Sequence, residues 1–290
     1  MNIQKILGGP PGIMLGIGLS RLVPPRVGYW IARQVARRMA RGRSPKFTVA
    51  KRNLAHVVGP KVSEEELERM AEYVVYHAGC TYYDMFRFAG SYAKVRVDPD
   101  EWALAEATLR DERGTIVVGP HMSNFDLAGL WIAAQGFEMQ ALSLPKPERG
   151  GKILNLFRRH QGLLVTPVNL RSLRMAAERL KAGGIVVTGV DRPVSLADEP
   201  VLFFDAPARM PSGHVRLALQ TDARILVACC IQASDGYYEI QFAPPLEVER
   251  TGDRKRDVRH NVRRVLEIIE RMIRQAPEQW LMFVPVWDFG

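Results

Sequence analysis

Residues 114–126 read GTIVVGPHMSNFD, and this stretch decides the fold. The β-branched run TIVV lies between two glycines, which is typical of a short buried strand. A polar turn follows, and the apolar run that begins at Leu127 predicts a helix. Because this strand–turn–helix pattern recurs downstream, the sequence predicts an α/β fold with a mostly parallel central sheet covered by helices on both faces.

The rest of the chain supplies the expected neighbours of this unit. Strands are expected at residues 139–144, 163–168, 185–190, 224–232 and 237–243, and helices at residues 124–135, 150–161, 172–183, 212–221 and 253–275. Upstream, Ser63 and Glu66 have the spacing of a capping box, which begins a helix that runs to about Phe88, and residues 100–111 predict another helix. We expect residues 46–290 to form a single α/β domain.

The first 45 residues differ from the rest and are expected to associate with a membrane. Residues 6–20 carry no charge, but they are fewer than the ~20 residues that a span needs, and Pro10 and Pro11 weaken a helix. A removed signal peptide and a true span stay open beside the favoured interfacial segment. Residues 26–41 predict a basic amphipathic helix with Trp30 near its start, and a core helix with a solvated basic face is the alternative.

The charge of the chain favours an anionic partner. The net charge is +9, the pI is near 9.7, and no acidic residue precedes Glu64. Acidic lipid headgroups and nucleic acid both attract such a basic block, but the chain lacks the spacing of a zinc finger and the basic–aromatic pattern of single-strand binders. We therefore expect no nucleic acid. We expect instead a monomer bound peripherally or monotopically at anionic lipids, on the cytoplasmic side of the inner membrane.

The cysteines predict neither a disulfide framework nor a metal site. Their number is odd, and Cys229 and Cys230 are adjacent within an apolar strand, while Cys80 lies in a predicted helix. Buried thiols in a reducing compartment are the expectation.

The polar turn of the opening stretch carries the candidate catalytic residues. His121 lies where the strand ends, Ser123 or Asn124 can cap the helix, and Asp126 falls in the first helical turn. A carboxylate that accepts a hydrogen bond from one imidazole nitrogen makes the other nitrogen a better base. His121 and Asp126 are therefore a candidate general-base pair, although this spacing also fits an ordinary loop histidine and a capping-turn acid.

A second stretch, GIVVTGVD (184–191), resembles the first and ends in Asp191. Because ligands of open α/β sheets bind at the carboxyl ends of the strands, His121 and Asp191 are expected to face one cleft. The chain has no G-x-S-x-G nucleophile motif. A substrate hydroxyl is therefore expected to attack an activated acyl or phosphoryl group directly.

Longer motifs place the histidine in a known family. HMSNFD (121–126) resembles the H-x4-D signature of the glycerolipid acyltransferase superfamily. One branch, the bacterial lipid A (lauroyl/myristoyl) and phosphatidylinositol mannoside acyltransferases, is similar over most of the chain. The further motifs are LPKPERGGKILNLFRRHQG (144–162), LKAGGIVVTGVDRP (180–193), VLFFDAPARMPSGHVRLA (201–218) and RILVACC (224–230).

The resemblance implies a reaction and a set of substrate contacts. A His121–Asp126 dyad would deprotonate a lipid or glycolipid hydroxyl, which would attack the thioester of acyl-CoA or acyl carrier protein, with no permanently bound cofactor. The implied substrate-binding residues are Ser123, Asn124, Arg158, Arg159, Asp191 and Arg209, with Arg158 or Arg159 on a phosphate or the donor and Arg209 on an anion.

Three departures from the branch leave the acceptor open. Asp205 replaces a glycine that usually follows the two phenylalanines, Cys229 replaces a proline, and Asp126 stands where lipid A enzymes often carry glutamate. Two other functions stay open as well. One is a basic peripheral protein that binds lipid or nucleic acid without catalysis, and the other is a thioesterase in which water replaces the acceptor hydroxyl.

Overall fold

The computed structural model describes residues 18, 20, 22–88, 91–145, 149–194 and 199–287. The uncharged segment 6–20, with its three alternatives, lies almost wholly outside these residues. Within the described ranges, no helix is both long enough and apolar enough to cross a membrane.

The predicted helices and strands occur in the expected order along the described chain, with a few further elements between them. The strands are β1 (Val95–Val97), β2 (Thr115–Gly119), β3 (Met139–Ser143), β4 (Leu164–Pro167), β5 (Ile185–Gly189), β6 (Val201–Phe203), β7 (Ala206–Ala208), β8 (Arg224–Gln232) and β9 (Tyr238–Phe242). The helices are α1 (Pro25–Arg41), α2 (Pro45–Val58), α3 (Glu64–Arg87), α4 (Pro99–Leu109), α5 (Phe125–Ala134), α6 (Arg149–His160), α7 (Leu170–Lys181), α8 (Gly213–Thr221) and α9 (Arg254–Gln275). A 3-10 turn follows at Pro277–Gln279.

The central sheet is mostly parallel, as the sequence predicts. Its described strands lie in the order β1-β9-β8-β2-β5-β3-β4, and every neighbouring pair is parallel except β8 with β9. In the centre, Gly119 of β2 is in register with Gly189 of β5. The parallel register therefore brings the residues that follow both glycines to the same edge of the sheet.

Helices cover both faces of this sheet, and β2 shows why the two faces differ. Ile116 and Val118 pack into a core formed with α7, α8 and α9, whereas Val117 packs with α4 and α5 on the other face. All three side chains are at most 4% exposed. Since burying one such side chain contributes about 1.5–3 kcal/mol, the alternation fixes which way β2 faces.

The helical N-terminal layer packs through small residues. Gly28, Ala32 and Ala36 of α1 are buried, and a Cβ on Gly28 would lie only 2.5 Å from the ring of Tyr83. The layer is also tied to the sheet, because the buried Asp84 carboxylate of α3 accepts a hydrogen bond from Tyr29 at 2.9 Å and one from Tyr238 at 2.5 Å. Helix α1 is thus anchored to the α/β domain.

Some elements were not anticipated from the sequence. Helix α2 begins at Pro45, where the Ser44 side chain accepts a hydrogen bond from the Phe47 backbone. The hairpin of β6 and β7 turns through Phe204 and Asp205, both with positive φ. The three cysteines are buried and free, as expected.

Candidate active site

His121 is held by Asp191, and both lie just past the paired ends of β2 and β5. The Nδ1 atom of His121 lies 2.6 Å from Asp191 Oδ1. The backbone N–H of His121 donates to Asp191 Oδ2 at 2.7 Å. Because the same carboxylate holds the ring and the backbone, the orientation of the imidazole is fixed relative to the sheet. The two residues therefore meet at one edge of the sheet, as expected, but Asp191 is fully buried and only His121 of the two lines the cleft described below.

The C-terminal segment completes the support of this pair. The indole N–H of Trp280 donates to Asp191 Oδ2 at 2.7 Å, and Trp280 is only 2% exposed. The backbone N–H of Leu281 donates to the His121 carbonyl at 2.8 Å, and that of Ser123 donates to the Gln279 carbonyl at 2.8 Å. The loop that carries His121 is therefore clamped between the sheet and the end of the described chain.

The electrostatics of the pair suit a base. Asp191 is fully buried. Burial by itself opposes a charge on His121, but the charge of Asp191 and its hydrogen bond outweigh burial, so the pKa of His121 lies above its usual value. Burial likewise works against ionisation of Asp191, yet contact with His121 and Trp280 keeps the pKa of Asp191 below its usual value. Asp191 is therefore ionised at a pH where the neutral imidazole can act as a base.

Asp126 has a different partner from the one that its spacing suggested. Arg158 of α6 donates from Nε to Asp126 Oδ1 at 2.6 Å and from Nη2 to Oδ2 at 2.9 Å. Arg158 also donates to Asn155 at 2.9 Å. The predicted hydrogen bond between His121 and Asp126 is therefore wrong. The physical reason is that strand register brings Asp191 to the ring, while a two-pronged ion pair holds Asp126 on Arg158.

The other candidate residues differ in the contacts that the structure gives them. Arg159 directs Nε and Nη2 to the Val165 carbonyl, at 3.0 and 2.7 Å. Asn124 caps α5, since its Oδ1 accepts from the Leu127 backbone at 3.1 Å. Ser123 does not cap the helix but takes a left-handed conformation, with φ 44°. Arg209 follows β7, and its carbonyl accepts from the backbone of Val194 at 3.1 Å.

An apolar cleft opens beside His121. It lies between α5 and the strands β2, β5 and β8, encloses about 590 Å³ including its open mouth, and is lined by Ile132, Met139 and Cys230 among others. Glycine keeps the ring side of this cleft open, because a Cβ on Gly189 would lie 2.6 Å from His121 Cε1. The apolar lining suits the hydrocarbon part of a ligand that reaches the imidazole.

Two residues near His121 were missed by the sequence analysis. No spacing in the sequence links Trp280 to Asp191. Arg192 follows Asp191 directly, and its charge acts to lower the pKa of His121. Only the three-dimensional structure places either residue at the site. Among the described residues, no group of three or more acidic, histidine or cysteine side chains is arranged to hold a metal ion.

The chain is similar in sequence to known proteins over most of its length. Residues 12–288 match the family described as bacterial lipid A biosynthesis acyltransferase. A phosphatidylinositol mannoside acyltransferase of Mycolicibacterium smegmatis is 27% identical over 293 residues, which covers 95% of this chain and 90% of that protein. A protein of the same name from Mycobacterium tuberculosis is 26% identical over 186 residues, or 63% of this chain and 57% of its own length.

A solved structure is also similar. The 1-acyl-sn-glycerophosphate acyltransferase of Thermotoga maritima aligns with a TM-score of 0.40 and 15% identity, over 89% of this chain and 99% of that one.

The family match spans nearly the whole chain and includes the His121 loop, the β5 end and the Trp280 segment. The chain therefore belongs to the bacterial lipid A biosynthesis acyltransferase family and is an O-acyltransferase.

Proposed function

We propose that this protein moves a fatty acyl group from an acyl thioester to a hydroxyl of a membrane lipid or glycolipid, with His121 as the general base. The observation that carries the proposal is the His121–Asp191 pair at the mouth of an apolar cleft. A base beside an apolar cleft suits a reaction between a lipid hydroxyl and a fatty acyl thioester.

The transfer follows from the roles of the two ring nitrogens. Asp191 accepts a hydrogen bond from Nδ1–H of His121 and so leaves Nε2 as the basic atom. Nε2 removes the proton of the acceptor hydroxyl while its oxygen attacks the thioester carbonyl carbon. The tetrahedral intermediate then collapses, the carbon–sulfur bond breaks, and the thiolate takes the proton back from His121. Asp126 acts in this scheme through Arg158, which it positions.

The acceptor and the donor are proposed by class. The names of the mycobacterial relatives favour a mannosylated phosphatidylinositol as the acceptor. The acyl chain would occupy the apolar cleft, with the carbonyl carbon near His121. The donor is acyl-CoA or acyl carrier protein, and both carry the same thioester chemistry.

Helix α1 supports a position on a membrane surface. It buries small residues and turns large apolar ones outward: Val27, Trp30, Ile31 and Val35 are 45–60% exposed. Near its C-terminal end, Arg38 and Arg41 are exposed. Neither makes an ion pair with another described residue. A core helix would bury its large side chains instead, so this arrangement suits insertion among lipids.

We therefore propose that residues 1–45 form the membrane-associating segment and residues 46–290 the catalytic domain. The basic residues would face anionic lipids on the cytoplasmic side of the inner membrane, where acyl thioesters are also present.

Purified protein tests the chemistry directly. A radiolabelled acyl thioester and phosphatidylinositol mannoside vesicles should yield an acylated lipid, and His121→Ala should abolish this product without unfolding the protein. His260→Ala is the matched control, because His260 is an exposed residue that pairs with Glu249. Turnover that survives His121→Ala in a folded protein would contradict the proposal. Release of free thiol without acylated lipid would favour the thioesterase instead.

A further inference from the structure

An arginine beside the proposed base has no assigned role. Arg192 follows Asp191 at the end of β5 and is half-buried. Within the part of the chain that the structure describes, its guanidinium makes no hydrogen bond and no ion pair. The backbone around it is held on both sides, because Val190 donates to the Gly119 carbonyl at 3.3 Å and Val194 donates to the Arg209 carbonyl at 3.1 Å.

The two arginines from which the sequence predicts a phosphate contact already have partners. Arg158 donates two hydrogen bonds to the Asp126 carboxylate. Arg159 donates from Nε and Nη2 to the Val165 carbonyl. The phosphate contact that the sequence analysis expected from Arg158 or Arg159 would therefore require one of these contacts to break. Arg192 can accept an anion without breaking any such contact.

A half-buried guanidinium without a counter-charge is unusual. Removing a charge from water is costly unless a partner and hydrogen bonds compensate for it. The planar guanidinium matches a phosphate through two parallel N–H donors. Arg192 is also near the reacting atoms, since it adjoins the residue that holds the His121 ring and its charge acts on that ring.

We propose that Arg192 binds a substrate phosphate and so positions that substrate beside His121. Two substrates of the proposed reaction carry phosphate. These are the donor, through its phosphopantetheine arm, and a phospholipid acceptor, through its headgroup phosphodiester. The inference rests on the proposed acyl transfer, but the binding that it describes can be measured without turnover.

The first measurement is binding alone. Phosphopantetheine and glycerophosphoinositol serve as soluble probes of the two phosphates, and calorimetry gives their dissociation constants for the folded full chain. We expect Arg192→Gln to weaken one of the two by about 10- to 100-fold, the range for a charge-assisted contact. Pantetheine, which lacks the phosphate, should show no such difference between wild type and variant.

The control is Arg254→Gln, which removes the same charge elsewhere. Arg254 is exposed and begins α9, whose other end leads to Trp280. The 22 residues of α9 extend about 33 Å, so this charge lies far from His121. It should leave both probe affinities unchanged.

The second measurement separates donor from acceptor. With acyl-CoA and acyl-pantetheine as alternative donors, a donor contact predicts that Arg192→Gln raises the KM only for acyl-CoA. An acceptor contact predicts a raised KM for the phospholipid and no change for either donor. Each result supports a phosphate site at Arg192. Unchanged probe affinities and unchanged KM values in folded Arg192→Gln would overturn it.

A pH profile shows whether the effect comes from the charge beside the base. Loss of the positive charge in Arg192→Gln raises the pKa of His121, so the acid limb of kcat/KM should move to higher pH. Arg192→Lys keeps the charge and should leave this limb in place while weakening phosphate binding. A merely structural arginine would give no such separation. Failure of the proposed function would show instead as absence of turnover in the wild type, with probe binding unaffected.

Discussion

At the scale of single residues, one carboxylate organises the site. Oδ1 of Asp191 accepts a hydrogen bond from the His121 ring. Oδ2 accepts one from the His121 backbone N–H and one from the Trp280 indole. A buried carboxylate needs such donors to stay ionised. Each donor therefore serves the base indirectly, by keeping the negative charge that sets the ring's tautomer.

Asp191→Asn should lower kcat strongly while leaving the fold intact. The amide keeps the shape but loses the charge that raises the pKa of His121. We expect kcat to fall by about 10²- to 10⁴-fold, the range for general-base catalysis. Because a base works only when neutral, activity falls as pH drops through the pKa of His121. That pKa is lower in the variant, so the acid limb should move to lower pH.

The comparison variant is Asp126→Asn. It leaves the His121–Asp191 bond untouched and weakens the ion pair with Arg158, so the acid limb should shift far less. Kinetic pH profiles of both variants show which of the two carboxylates sets the pKa of His121. Circular dichroism tests whether each variant is folded. A larger shift from Asp126→Asn would restore the pairing that the sequence suggested.

Trp280→Phe should reduce kcat by a smaller factor. Phenylalanine fills much of the indole's buried space but cannot donate the hydrogen bond to Asp191 Oδ2. A lost hydrogen bond to a charged group costs about 1.5–3 kcal/mol. Only part of this free energy should add to the activation barrier that kcat reports. We expect kcat to fall about 10-fold with KM nearly unchanged. Equal kcat in wild type and variant would assign Trp280 to packing alone.

At the scale of elements, two strand ends carry glycine because neighbouring atoms approach them closely, and one of these neighbours is the base. Gly119 and Gly189 are in register. A Cβ on Gly119 would lie 2.1 Å from the Ala228 carbonyl, and one on Gly189 would lie 2.6 Å from His121 Cε1. Glycine is required here by close approach and not by an unusual φ.

Gly189→Ala should therefore displace the His121 ring and lower kcat by about 10²-fold or more, as expected when a catalytic group moves by about 1 Å. The matched control is Gly213→Ala, since nothing lies within 4 Å of a Cβ at that position. Steady-state kinetics of the two folded variants measure the difference. Full activity of Gly189→Ala would mean that the ring tolerates the methyl group.

The sequence predicts most elements but not the contacts between them. Strands β2, β5 and β8 are short apolar runs, so their pattern is clear. Strand β1 has three residues, too few to show a period, and the turn at Phe204 lacks the glycine that usually marks positive φ. The partner of His121 was misassigned because the spacing within the H-x4-D motif is visible in sequence, whereas the register that aligns Gly119 with Gly189 is not.

At the scale of the whole molecule, the outward face of α1 is expected to hold the enzyme on its membrane. Replacing Trp30 and Ile31 together by glutamine should weaken vesicle binding, because both side chains are about half exposed and would insert among lipids. Co-sedimentation with vesicles containing acidic lipid measures the change. Leu170→Gln is the matched control, since Leu170 is 85% exposed on α7, and it should bind like wild type.

The basic C-terminal end of α1 should make part of the affinity for acidic vesicles dependent on salt. Each basic residue near an anionic surface contributes about 1 kcal/mol, so Arg38→Gln with Arg41→Gln should weaken binding to acidic vesicles and have little effect on neutral ones. Equal binding by all these variants would place the membrane contact elsewhere on the molecule.

Stability of the whole fold should depend on one buried histidine. His214 is 3% exposed on α8, and neither of its ring nitrogens has a hydrogen-bond partner among the described residues. Burial lowers the pKa of His214 to about 3. In the unfolded chain the same group titrates near 6.5, so below that pH the unfolded state binds the extra proton. The free energy of unfolding should therefore fall as the pH drops from 6.5 towards 3.

His214→Leu should stabilise the protein and flatten this dependence. Removing two unsatisfied buried groups should raise the free energy of unfolding by about 1–3 kcal/mol at pH 7.5. At pH 5 the advantage should grow by about 2 kcal/mol, because each pH unit below 6.5 costs the wild type about 1.4 kcal/mol. Burial also lowers the pKa of His77, to about 4, so part of the slope should persist. Urea unfolding at both pH values measures the difference, and an advantage that does not grow at pH 5 would mean that His214 accepts a proton in the folded state.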